Sequence, residues 1–199
     1  MIKNILIWLY KILLKRKLTY IGKGSIIKYP FRIEGDGDII VGDNVYVYPN
    51  CHFQTISVNG TTPEINFGNN IRMWYNSQIS CVRNVLIESG CTFAANCFIT
   101  DVTHRYDDIN IPAYNTVIKV LPNVIVGEGT WVGRNVIISG VRIGKHCIIG
   151  AGSMVTKDIP DYSVVVGNPC KIIKRYNVNT NKWEKTDKDG FFLAGGVKY

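Results

Sequence analysis

Residues 126–159, VGEGTWVGRNVIISGVRIGKHCIIGAGSMVTKDI, decide the fold. An aliphatic residue recurs there at Val126, Val132, Ile137, Ile143, Ile149 and Val155, at steps of six, five, six, six and six. Glycine follows the aliphatic in four of these units. A small or Cβ-branched residue stands four places after it, at Thr130, Val136, Val141, Cys147, Ser153 and Ile159. Helices and strands have side-chain periods of about 3.6 and 2, so neither accounts for this repeat. The period predicts a mainly β solenoid. Each short strand gives one aliphatic to a continuous core, the small residue fits a narrow corner, and glycine permits a turn with φ > 0. One unit alone cannot bury its face, so the units must stack.

Upstream, the six-residue step begins at Ile21, Ile27, Ile33 and Ile39, slips by two, and resumes at Val41, Val47 and Phe53. Residues 54–64, QTISVNGTTPE, break it with Gly60 and Pro63 and read as a loop. Phe67, Met73 and Ile79 restore the step, with Gly68 in the turn, and Ile87, Phe93 and Ile99 continue it after another two-residue slip. Residues 101–123, DVTHRYDDINIPAYNTVIKVLPN, are too long and too polar for a turn. An excursion of this kind is functional or disordered. Beyond the organising stretch, YSVVVGNPCKIIKRY leaves the solenoid through Pro169, and YNVNTNKWEKTDKDGFF reads as a short hairpin or loose tail. The chain therefore divides into an N-terminal segment (1–20), a β-helical domain (21–170) with its excursion at 101–123, and a C-terminal extension (171–199).

The N-terminal segment, MIKNILIWLYKILLKRKLTY, carries Ile2, Ile5, Leu6, Leu9, Ile12 and Leu13 at helical spacing, with Lys3, Lys11 and Lys15 on the other side. It predicts an amphipathic helix. Its apolar run, broken by Lys11, falls short of the roughly 20 residues needed to span a bilayer. Lys15-Arg16-Lys17 stands where a signal peptide would place small residues for cleavage. Two roles stay open: a cap on the end of the solenoid, and an interfacial helix on an anionic membrane face.

Composition narrows the function classes. A chain of 199 residues, 46% hydrophobic and 19% charged, fits one soluble globular domain. The formal net charge of +8 is concentrated: residues 1–33 carry eight Lys/Arg and no acid, and the remainder holds fifteen of each sign. No nucleic-acid-binding signature accompanies it, so a nucleic-acid partner is not expected. Four of the six cysteines, Cys51, Cys91, Cys97 and Cys147, fall at small-residue positions and read as reduced core fillers. They point to a cytoplasmic protein.

With these residues in view, the repeats, the segment GTWVGRNVIISGVRIGKHCIIGAGSMVTKDIPDYSVVVGNPCKIIKR and a histidine in the loop after ITD resemble the hexapeptide-repeat acyltransferases. Within that family the closest resemblance is to bacterial sugar and polysaccharide O-acetyltransferases. The resemblance covers about residues 21–169 and implies a left-handed parallel β-helix with three strands per turn, a homotrimer, and acetyl-CoA as donor. Handedness follows from the resemblance alone, since ordinary crossovers are right-handed.

Acyl transfer from a thioester to a hydroxyl needs a base of near-neutral pKa that takes the hydroxyl proton and later returns it to the thiolate. Of the three histidines, His52 and His146 lie inside repeat units at turn positions; His104 lies in the excursion. The resemblance implies His104 as general base, in an Asp-x-x-His segment. Asp101, or less favourably Asp107 or Asp108, would fix its tautomer by accepting the Nδ1 proton. The resemblance also implies a donor groove between neighbouring subunits, along Trp131, Gly133, Arg134, Ala151, Gly152, Thr156 and Lys157. Lys174 and Arg175 would lie near the phosphates, where charge-assisted contacts suit the task. The unit from Val132 reads as one residue short, with Arg134 at a position where the family usually has a small residue. Trp74, Tyr75 and Asn76 in RMWYNSQ, with Asn96 in FAANCF, are candidates to face the same groove as His104 and hold a sugar or glycan; core packing and an internal asparagine ladder are the competing readings.

The function expected is acetyl transfer to a sugar hydroxyl of a bacterial surface polysaccharide or its precursor, in the cytoplasm or at the inner face of the membrane. An acetyltransferase for an antibiotic or a nucleotide-linked amino sugar is the alternative within the enzyme class, and a structural β-helix the alternative outside it. The metal-binding relatives of this fold pair histidines five apart. Here the intervals are 52 and 42 residues, so no metal is expected.

Overall fold

A computed structural model describes residues 17–58, 60–112 and 115–193. Of the helix expected over residues 1–20, residues 1–16 lie outside the described residues; its last residues are not helical, since Leu18 and Thr19 lie outside any helix and Tyr20 already belongs to the first strand, paired with Ile40. The described elements are strands, in coils of three. The first coil runs through β1 (Tyr20–Ile21), β2 (Ile26–Ile27) and β3 (Phe31–Glu34). The second has β4 (Asp38–Val41), β5 (Tyr46–Val47) and β6 (Cys51–Thr55); the third β7 (Glu64–Phe67), β8 (Arg72–Met73) and β9 (Gln78–Cys81). The fourth has β10 (Asn84–Ile87), β11 (Thr92–Phe93) and β12 (Phe98–Thr100). The excursion contributes an antiparallel hairpin, β13 (Val102–His104) against β14 (Ile118–Val120). A fifth coil follows as β15 (Val124–Val126), β16 (Trp131–Val132) and β17 (Ile137–Ser139), and a sixth as β18 (Arg142–Ile143), β19 (Ile148–Ile149) and β20 (Met154–Val155).

The first, second and third strands of successive coils stack into three parallel sheets, so the molecule is a three-sided parallel β-helix. The second sheet continues through β21 (Ser163–Gly167) into an antiparallel hairpin of β22 (Cys170–Asn177) and β23 (Lys182–Lys185). The C-terminal segment is thus a hairpin rather than a loose tail. Among the described residues no helix is long and apolar enough to cross a membrane.

Each strand sends alternate residues inward, and the stacked inward columns make one core in which Phe53, Phe67, Phe93, Met73 and Ile99 are fully buried. The two-residue slips in the period are long strands of the first sheet, where Ile39 and Val41 on β4, and Val85 and Ile87 on β10, all point inward. One register expectation is corrected. Ile138 is fully buried whereas Ile137 is 36% exposed, because Ile137 pairs with the outward Phe98 and Ile138 with the inward Ile99. The aliphatic sequence is therefore Val126, Val132, Ile138, Ile143, and the short step lies after Ile138, not after Val132.

The glycines that follow the aliphatic serve close approach rather than positive φ. A Cβ on Gly133 would lie 2.6 Å from the Ala151 nitrogen, and one on Gly127 2.5 Å from the Gly144 carbonyl carbon. Positive φ falls instead two residues later, on a column of corner residues dominated by asparagine: Asn50, Asn76, Asn96 and Asn135, with φ between 58° and 65°. Asparagine tolerates this region because its side chain bonds locally.

Candidate active site

The excursion leaves the solenoid where the third sheet turns into the first, between β12 and β15. Asp101 fixes its root. The residue is fully buried, and its carboxylate accepts the backbone N–H groups of Val82 at 2.7 Å, Arg83 at 2.8 Å and Asn84 at 3.0 Å, at the corner between the third and fourth coils. Its carbonyl accepts Leu121 N–H at 2.8 Å where the excursion returns. The chain then forms β13, and His104 stands exposed at its end, opposite Ile118 on β14.

The three acids proposed to orient His104 are all engaged elsewhere. Asp101 spends both oxygens on backbone amides, Asp107 lies 4.0 Å from the Arg105 guanidinium, and Asp108 accepts the Asn110 N–H at 2.9 Å. Among the described residues no hydrogen bond joins any of them to His104. The sequence pattern Asp-x-x-His suggested a direct pair; Asp101 instead turns inward as the last residue of the coil. The remaining histidines are tied into the solenoid. His52 sits 3.3 Å from a Glu34 carboxylate oxygen, and His146, at a corner with φ 50°, stacks on Tyr162 with centroids 5.7 Å apart.

The residues expected along the donor groove fall on two edges. Gly133, Arg134, Ala151 and Gly152 stack on the edge between the second and third sheets, directly after Trp131, which is 55% exposed on the outer face of β16. Stacking is direct: Gly152 N–H donates to Arg134 O at 2.8 Å. Around Arg134 the last two coils of this edge carry the small residues Gly133, Ala151 and Gly152, and a Cβ on Gly152 would meet nothing within 4 Å, so an extended ligand has access to the backbone there. Thr156 and Lys157 follow β20 on the other edge, the one that carries the excursion two coils earlier.

Lys174 is exposed on β22, whereas Arg175 is half-buried against the C-terminal segment. Its guanidinium donates to Gly190 O at 3.4 Å and Asp161 O at 3.5 Å and lies 5.9 Å from the Phe192 ring centroid. Adjacent residues of a strand point to opposite sides, so the two side chains leave β22 on different faces.

Trp74, Tyr75, Asn76 and Asn96 lie on the same edge as Gly133 and Ala151, nearer the N-terminal end of the solenoid. In one chain they are separated from the excursion by the width of the third sheet. Asn76 donates to the Asn96 side chain at 3.1 Å and Asn96 to that of Asn135 at 3.0 Å. This is the asparagine ladder, but on the outer corner rather than inside. Not anticipated was the aromatic surface beside Trp74, formed by Tyr46 and Tyr48. Its signal was present in the sequence as rings two apart flanking the inward Val47.

Residues 123–157 match the family model described as bacterial transferase hexapeptide (six repeats). The chain is 32% identical over 167 residues to the "Putative lipopolysaccharide biosynthesis O-acetyl transferase WbbJ" of Escherichia coli (strain K12), covering 80% of this chain and 83% of that protein. The chain belongs to the hexapeptide-repeat acetyltransferases. A galactoside O-acetyltransferase of Lactococcus lactis is 30% identical over 156 residues, covering 76% of this chain and 72% of the relative. Among solved structures, AntD, an N-acyltransferase from Bacillus cereus in complex with dTDP and coenzyme A, superposes with TM-score 0.70 at 20% identity, over 85% of this acetyltransferase and 90% of AntD. That likeness establishes the fold. Among the described residues no group of three or more His, Cys, Asp or Glu is gathered to hold a metal ion.

Proposed function

We propose that this acetyltransferase moves the acetyl group of acetyl-CoA to a hydroxyl of a sugar in a bacterial surface polysaccharide or its precursor, with His104 as general base. The observation that carries the reading is the position of His104. It alone of the three histidines is free of the solenoid, exposed on a hairpin whose root Asp101 pins to the preceding coil. The sugar O-acetyltransferases among the relatives support the acceptor class, and the galactoside acetyltransferase solved with coenzyme A, of the same fold at TM-score 0.60, supports the donor.

In this reading a ring nitrogen of His104 takes the proton of the acceptor hydroxyl as its oxygen attacks the thioester carbonyl carbon. The C–O bond forms, the C–S bond breaks, and the imidazolium returns the proton to the CoA thiolate. A backbone amide on the small-residue edge stabilises the oxyanion. Trp131, Gly133, Arg134, Ala151 and Gly152 line the donor path, with Thr156, Lys157 and Lys174 nearer its ends; Trp74, Tyr75, Asn76 and Asn96 meet the acceptor. Gly133, Arg134, Ala151 and Gly152 share one edge with the acceptor residues and His104 projects from another, so a neighbouring copy brings the two edges together, and the active species is a homotrimer of left-handed β-helices. Asp101 positions the excursion. The domain division at 20 and 170 belongs to this reading, with the basic N-terminal segment either closing the end of the solenoid or keeping the enzyme at the inner face of the membrane.

The test is His104→Ala. Acetyl transfer should fall by about 10²- to 10⁴-fold with acetyl-CoA binding retained. Turnover within a few-fold of the parent enzyme, across lipid-linked glycans, nucleotide sugars and antibiotics as acceptors, removes His104 from the chemistry. Transfer confined to an amine acceptor replaces the O-acetyl assignment by an N-acetyl one.

A further inference from the structure

The outer face of the second sheet carries a cluster of aromatic rings on the coils that precede the excursion. Tyr48 lies flat on Trp74, with centroids 4.4 Å apart and planes 7° from parallel. Tyr46 and Tyr75 each tilt against Tyr48 at 5.0 Å. Lys28, one coil earlier, holds its ammonium 5.0 Å from the Tyr46 centroid and 5.4 Å from that of Tyr48. The nearby Tyr46 side chain raises the pKa of the ammonium, so it stays charged. Arg72 approaches the other side of Tyr46 at 5.8 Å.

The solenoid does not need these rings. Its core in the same coils is already closed by Val47, Phe53 and Met73, all fully buried. Trp74 and Tyr75 remain 39% and 41% exposed, and a contiguous exposed ring cluster marks a binding surface. Stacked rings suit the C–H faces of pyranoses, phenol and amide groups suit their hydroxyls, and an ammunition of positive charge from Lys28 and Arg72 suits an acidic substituent. The cluster is continuous with Trp74-Tyr75-Asn76, the acceptor residues of the reading above.

We infer that Tyr46, Tyr48, Tyr75 and Lys28 form a subsite for an acidic oligosaccharide chain, so the acceptor is an assembled glycan rather than a single sugar or a nucleotide-linked one. The inference rests on the O-acetyltransferase reading. Successive coils are about 4.8 Å apart, so the path from Trp74 on the third coil to Lys28 on the first is about 10 Å, longer than one pyranose ring. The sugar that is acetylated lies at the Trp74 end, and the chain runs from there toward the N-terminal coil.

Full-length protein is titrated with a hyaluronan hexasaccharide (carboxylate), a phosphodiester-linked hexasaccharide (phosphate), maltohexaose (neutral) and free glucuronate (one ring), reading tryptophan fluorescence. One of the two acidic hexasaccharides should bind at least about tenfold more tightly than maltohexaose and glucuronate, and which one it is names the acid. Tyr48→Ala and Lys28→Glu should each weaken it by about tenfold, the size of a lost ring stack or desolvated charge contact. Tyr46→Phe, which keeps the ring, serves if Tyr48→Ala melts early, and should weaken binding less than Lys28→Glu. Equal affinity for hexasaccharide and glucuronate, equal affinity for acidic and neutral chains, or no binding by any probe overturns the inference. So does emission from Trp74, isolated by difference with Trp74→Phe, that acrylamide cannot quench in the free protein, because a second copy then covers the rings. Acetyl transfer that depends on His104 but ignores chain length overturns the subsite and leaves the O-acetyl reading intact, whereas transfer independent of His104 overturns that reading instead.

Discussion

The carboxylate of Asp101 accepts the backbone N–H of Val82 at 2.7 Å, across one full coil of the solenoid. With Arg83 and Asn84 on its second oxygen, it satisfies the amide donors of the corner that leads into β10. A buried donor left without an acceptor costs about 1–3 kcal/mol. Asp101→Ala should therefore lower the melting temperature by several degrees and release the excursion, reducing kcat more than the KM for acetyl-CoA. Asp101→Asn keeps one acceptor oxygen and should recover part of both losses. A melting temperature of Asp101→Ala equal to the parent's would show that the carboxylate holds nothing.

The register of β17 gives a sharper test, because two adjacent isoleucines differ only in which way they point. Ile138 faces the core beside Ile99, and Ile137 faces outward beside Phe98. Ile138→Ala should cost about 2–5 kcal/mol, as buried large-to-small changes do. Ile137→Ala should cost under about 1 kcal/mol, since it removes a part-exposed side chain. Chemical denaturation of the two variants decides it, and the reverse ranking would restore the register that the six-residue period alone suggests.

The solenoid was legible because every coil must bury the same inward columns, which prints a period on the sequence. What the period could not supply was information held between coils. Ile137 and Ile138 are equally apolar, and only pairing with Phe98 and Ile99 orients them. Gly133 reads as a turn residue, but the Ala151 backbone of the next coil is what excludes a side chain there. Likewise, the partners of Asp101 lie 17 to 19 positions earlier, a separation that means contact only once the coil length is known. His104 stood out because it breaks the pattern; Tyr46 and Tyr48 did not, because they alternate correctly with Val47.

Burial sets the chemistry of the thiols. It pushes Cys51, Cys97 and Cys147 up from 9.0 to about 11, and Cys81 and Cys91 to about 12, with neighbouring amides pulling weakly the other way. These thiols stay protonated and unreactive at neutral pH. At pH 8 a disulfide reagent should label half-buried Cys170 first and the other five only at the rate of unfolding. The linkage has a definite sign: the folded values lie above the unfolded one, so the unfolded chain loses protons first as pH rises above about 9. The stabilising contribution is complete below that pH and is lost between pH 9 and about 12. A denaturation midpoint that holds level or rises from pH 8 to pH 10.5 would contradict this.

Asn96 is asked to do two things, and two substitutions separate them. Its φ of 65° lies in the left-handed region, and its side chain donates to Asn135 at 3.0 Å while accepting from Asn76 at 3.1 Å. As a corner residue it needs a backbone that tolerates positive φ, a demand glycine also meets. As an acceptor-binding residue it needs the amide, which glycine lacks. Asn96→Ala should be destabilised by about 1–2 kcal/mol, since a residue with a Cβ and no local hydrogen bond is strained there. Asn96→Gly should regain most of that stability, losing only the ladder bonds. If the amide also meets the acceptor, Asn96→Gly raises the KM for the glycan several-fold at unchanged KM for acetyl-CoA. Kinetics of Asn96→Gly equal to the parent's would reduce Asn96 to a corner residue and leave Trp74 and Asn76 to hold the sugar.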